Sequence, residues 1–78
     1  MRQIKLIWDF RGPNGKHTAD HHLLHLEEFM KNNDKTMISK GTASLTEMHH
    51  IAYIVVEETD VKGLRTSLKP HRGQVHAN

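Results

Sequence analysis

The chain has no cysteine, only two prolines and only four Phe, Trp or Tyr residues. Without cysteine it has neither disulfides nor thiolate metal sites. Those are the usual staples of a small domain, and at 78 residues this is a single domain spanning 1–78. A chain this short buries only about 60% of the surface its unfolded form exposes. A second subunit is therefore the expected source of further buried area. Long apolar runs are absent as well. None approaches the ~20 residues that span a bilayer, and the opening Met-Arg-Gln-Ile-Lys has no apolar signal-peptide core. The expectation is a cytoplasmic protein without a membrane partner. Charge of one sign is scarce too: a formal net charge of +2 argues against a dedicated nucleic-acid binder.

What the chain does have is histidine, eight in all. An imidazole with an unperturbed pKa of about 6.5 changes charge in mild acid. Four of them fall in the stretch Arg11 to His25, where a Gly12-Pro13-Asn14-Gly15 turn runs into the start of a helix.

Ile4, Leu6, Trp8 and Phe10 alternate with Lys5, Ile7 and Asp9, which predicts a half-buried strand over 4–10. A helix follows, capped by Asn14 or Thr18. Stepping about 100° per residue puts Ala19, Leu23, Leu26 and Met30 on one stripe. His22 and Phe29 flank that stripe, and His17, His21, His25 and Glu28 face away from it. Asn32-Asn33 suits a left-handed helix exit. Thr36 to Thr46 reads as a polar strand weakened or bulged at Gly41. Glu47 to Glu58 reads as a central strand, because Ala52, Ile54 and Val56 on one face and Ile51, Tyr53 and Val55 on the other are all apolar. Asp60 to Lys69 reads as a second helix, capped by Thr59 or Asp60 and stopped by Pro70. Residues 73–78 form either a loose tail or a short edge strand.

This order, β-α-β-β-α with an optional last strand, predicts an α+β fold of the ferredoxin-like, split β-α-β kind. Its antiparallel sheet carries two helices on one face. The other face would expose Ile7, Ile51, Tyr53 and Val55, so the sequence predicts a homodimer formed through it.

Successive elements reverse direction, which gathers Arg11, His17, His49, His50, His71 and Arg72 at one pole. The start of the first helix adds N–H groups and a positive dipole end there. A small anion, phosphate or carboxylate, is the ligand such a pole prefers, with His22 alongside. The turn matches neither a Walker loop nor the dinucleotide fingerprint.

Two other chemistries are open. His17, His21 and His25 repeat at i, i+4 and i+8, a spacing at which imidazoles can share a divalent transition metal as cofactor. The third lies ~80° round from the first, so His49 or Glu47 would have to complete the shell. His22, His50 or His71 could also serve an enzyme as acid or base. For His22 and His50, satisfied histidines at the edge of the core are the plainer reading. A structural or interaction module is the remaining alternative. Trp8 and Phe10 on the strand lack the basic interleaving of RNA-stacking modules.

Overall fold

A computed structural model describes residues 2–76. The fold is α+β, in the order β1 (Gln3–Arg11), α1 (Gly15–Asn32), β2 (Ser39–Thr46), β3 (His49–Glu57), α2 (Glu58–Leu68) and β4 (Arg72–His76). The four strands form one open sheet in the order β2-β3-β1-β4, and every neighbouring pair is antiparallel. β4 pairs with β1 from Gln3 to Ile7, which makes Arg72–His76 an edge strand. Residues 77 and 78 of the anticipated tail lie outside the described part. No described helix is long and apolar enough to cross a membrane.

The core sits between the sheet and both helices. Leu6 and Trp8 of β1, Ile54 and Val56 of β3, Leu26 and Met30 of α1 and Leu64 of α2 form one buried cluster. These are the positions that period-two and 3.6-residue patterning single out. Trp8 also donates its indole N–H to the Leu68 carbonyl at 2.9 Å, which ties the end of α2 to the sheet.

Several local expectations change. Neither Asn14 nor Thr18 caps α1 with its side chain; Thr18 instead bonds back to the Asn14 carbonyl at 3.0 Å. The left-handed exit falls at Asp34 (φ 52°) rather than at Asn32 or Asn33. There Lys35 N–H reaches Met30 O at 2.8 Å and Asp34 N–H reaches Lys31 O at 3.3 Å, a Schellman closure. α2 begins at Glu58, two residues before the expected Asp60, because β3 runs straight into it. The Arg2 carbonyl takes the Glu58 N–H at 3.0 Å, so no side-chain cap is needed at that amide. Gly41 stays in register opposite Tyr53, and the irregularity lies between Ser44 and Thr46. Gly41 is instead a site of close approach: a Cβ there would stand 2.7 Å from the Tyr53 hydroxyl.

The sheet face away from the helices also departs from expectation. Ile7, Ile51 and Val55 are only 2%, 5% and 0% exposed within the single chain. These three therefore do not require a second subunit to cover them, and Tyr53, the fourth residue of the expected dimer face, is half-buried. Long polar side chains lie over the same face. Lys5 sets its ammonium 4.2 Å from the centre of the Tyr53 ring, so its stem shelters apolar surface while its head stays in water.

Candidate functional site

The site grows out of β1. Arg11 pairs with His49 in the register, Asp9 with Ile51, and Ile7 with both Tyr53 and Arg72. Alternation puts Arg11, Asp9, His49 and Arg72 on the face away from the helices. Asp9 stands diagonally between Arg72 and His49, a separation that long side chains can bridge. Arg72 closes on it as a fork, with Nε 3.0 Å from Oδ2 and Nη2 2.9 Å from Oδ1. His49 Nε2 lies 2.7 Å from Asp9 Oδ1. The backbone joins in, since Asp9 N–H donates to His71 Nδ1 at 2.7 Å and His71 N–H donates to Ile7 O at 2.9 Å.

Asp9 is thus the hub of a network that includes His49, His71 and Arg72. The Arg72 hydrogen bonds and, less strongly, the His49 contact hold the Asp9 carboxyl down at about 2 against an ordinary value of 3.8, although burial opposes them. The same contact raises the Arg72 guanidinium above its usual value. Sequence reasoning missed Asp9 as a site residue. Its signal was available: it is the one acid on the polar face of the first strand, two residues before Arg11.

At the end of β1 the chain turns through Gly12, whose φ of 101° suits glycine. Gly12 N–H donates to Met48 O at 2.8 Å, fastening the turn to the β2–β3 hairpin. Gly15 is buried, and a Cβ there would meet Phe10 O at 2.9 Å and His50 Cδ2 at 2.8 Å. This close packing sets α1 directly on the sheet. The first turn of α1 has no side-chain cap and no acidic residue. It carries Lys16 and His17, the wrong sign for a helix N-terminus. Lys16 is partly offset by Asp20, 3.3 Å away. Arg11 is exposed and has no ion pair among the described residues.

The remaining predicted residues are dispersed. His50 faces the helices, the opposite side from His49, because neighbouring strand residues alternate. It is 6% exposed, and both its nitrogens are engaged, Nδ1 with Ser44 Oγ at 2.8 Å and Nε2 with Glu47 O at 3.0 Å. His22 rests against Trp8 and Phe10, each ring centre 5.3 Å away. Its Nε2 is buried without a partner. Burial pushes its pKa down, and the charges of His25 and His71 push the same way. His22 and His50 share no hydrogen bond among the described residues. His17 is exposed and has no hydrogen bond among the described residues. His21 and His25 meet through Nε2 atoms 3.0 Å apart. No group of three or more potential metal ligands occurs among the described residues, so His17, His21 and His25 do not converge as a three-imidazole shell.

A separate hollow lies elsewhere. A cleft of about 260 Å³ between α2 and β4 is floored by Ile4, Leu6 and Val61, with Glu58 and Arg65 among its polar lining. It contains none of the histidines.

No known protein family, no curated protein and no solved structure matches this chain.

Proposed function

We propose that the chain binds a small anion, a phosphate or a carboxylate, at the Arg11 end of the sheet. The observation that carries this reading is the unbalanced start of α1. Its first-turn N–H groups lack a side-chain cap, its first-turn side chains include Lys16 and His17 and no acid, and Arg11, without an ion pair among the described residues, immediately precedes the turn. An anion there would complement the helix dipole, meet the first-turn N–H groups other than that of Gly15, which Gly12 O takes at 3.1 Å, and accept a charge-assisted bond from Arg11 if its long side chain folds round the end of β1. His49 lies directly opposite Arg11 in the register and Arg72 opposite Ile7, and Asp9 between them holds both in place. Asp9 offsets the Arg72 charge, so the anion site rests on Arg11 and the start of α1.

The acid–base reading of His22, His50 and His71 draws less support. His50 has both nitrogens engaged, His71 Nδ1 accepts the Asp9 N–H, and His22 Nε2 is enclosed.

We also read the topology as ferredoxin-like. The sheet order β2-β3-β1-β4 supports this, because β3 lies between the two strands that α1 connects.

The test is a titration of the chain with inorganic phosphate and with acetate, followed through backbone amide NMR shifts at matched ionic strength in sodium chloride. Saturable shifts confined to Arg11–His17, lost in Arg11→Gln, are expected. Shifts no larger than those chloride produces would overturn the proposal.

A further inference from the structure

His21 and His25 sit one helical turn apart on the exposed side of α1, away from Arg11 and Asp9. Their rings meet nearly edge to face, with centroids 4.6 Å apart at 75°, and the two Nε2 atoms lie 3.0 Å apart. We infer that these two imidazoles form a chelate for a divalent transition-metal ion of tetragonal preference, Cu²⁺ above all.

The ligand type favours the ion, and the separation is compatible with it. Metal–imidazole bonds run about 2.0–2.1 Å. With the nitrogens 3.0 Å apart, an ion bonded to both would subtend an angle of roughly 90–95°. That is the cis angle of square-planar and octahedral ions. A tetrahedral zinc centre would want the nitrogens about 3.3–3.4 Å apart at the same bond length. Nitrogen ligands in tetragonal geometry are the preference of Cu²⁺ and Ni²⁺, and Cu²⁺ binds such donors most tightly in the first-row series.

Without metal, the 3.0 Å contact is an N–H···N bond, with one ring donating and the other accepting. To bind an ion, the donating ring moves its hydrogen to Nδ1, leaving both Nε2 lone pairs free. For His25 that hydrogen would point toward Glu28, whose Oε2 is 3.9 Å from Nδ1. A carboxylate near the outer nitrogen of a ligating histidine orients the ring and strengthens it as a donor. The i+8 arrangement does not extend to a third imidazole, and no third protein ligand converges among the described residues. Water fills the other positions. Glu27 is not free to join, because Lys40 Nζ holds its carboxylate at 2.6 Å.

The experiment titrates the full chain with Cu²⁺, using glycine as a competing chelator and reading both calorimetry and low-temperature electron paramagnetic resonance. One tight site per chain is expected, with superhyperfine splitting from two equivalent nitrogens. His21→Gln and His25→Gln should each weaken it at least tenfold, while His17→Gln leaves it unchanged. His21 and His25 are both exposed, so the variants are expected to keep the far-ultraviolet circular dichroism of the parent. Retention of the tight site in His21→Gln, or its loss in His17→Gln, would overturn the inference. So would a chain that pairs with a second copy on copper addition, with one imidazole from each.

Discussion

Arg72 lays Nε and Nη2 on the two oxygens of Asp9, at 3.0 and 2.9 Å, across 63 residues of sequence. The pairing joins the last strand to the first where β4 begins, and His49 completes it from β3. One carboxylate therefore fastens three strands on the face that carries no helix.

The Asp9 network makes acid stability predictable. Its carboxyl is depressed to about 2 in the folded chain from an ordinary 3.8. A depressed acid contributes stability that is present above the unfolded value and is lost as pH falls through the folded one. Urea denaturation should show stability falling as pH drops from about 4 to about 2, a slope that Asp9→Asn makes shallower while Asp20, also held below its usual value by Lys16, keeps part of it. Arg72 is half exposed, so solvent screening reduces the contribution to about 1 kcal/mol. Asp9→Asn should also free Arg72 and tighten phosphate binding at the adjacent Arg11 end.

His22 contributes an unpaired nitrogen to the edge of the core. Replacing a buried polar group that lacks a partner with an apolar side chain of similar volume removes a desolvation cost. His22→Leu should raise the melting temperature, by the equivalent of about 1 kcal/mol. A lower melting temperature would show that the ring's contacts with Trp8 and Phe10 outweigh the unpaired nitrogen.

Gly15 and Gly63 are both helical glycines, and they should respond oppositely to alanine. A Cβ at Gly15 meets a backbone oxygen at 2.9 Å, so α1 would have to shift off the sheet. Gly15→Ala should cost about 1–3 kcal/mol in chemical denaturation. A Cβ at Gly63 meets nothing within 4 Å, and Gly63→Ala should stabilise the chain by up to ~1 kcal/mol.

The end of α2 offers a further gain. Lys69 holds a left-handed conformation at φ 49°, where a side chain is strained and glycine is not. Lys69→Gly should stabilise by about 1 kcal/mol, the penalty of a non-glycine residue in that region. Amide exchange of Leu68 and Lys69 should slow with it. Faster exchange at these amides would contradict the strain argument.

Much of the scaffold was legible beforehand because it follows from local patterning. The alternation of Ile4 to Phe10 and the Ala19–Leu26–Met30 stripe each need only a dozen residues to be recognised. The helix boundaries were harder to place. α2 starts early because the Arg2 carbonyl receives its first N–H, a partner 56 residues away. Of the site, the approach of Arg11, His49, His71 and Arg72 followed from elements that reverse direction. Its division did not, because His49 and His50 are neighbours in sequence but lie on opposite sides of the sheet.

By itself, then, the sequence determined which residues are helical, which are extended and which side of each is apolar, since those properties depend on near neighbours and on backbone geometry. Tertiary structure alone decided that Asp9, unremarkable in its own strand, would become the common partner of Arg72 and His49. It also decided that Ile7, Ile51 and Val55 would be buried without a second chain. Both outcomes depend on cross-strand register and on how long side chains settle over a surface, and no short window of sequence contains either.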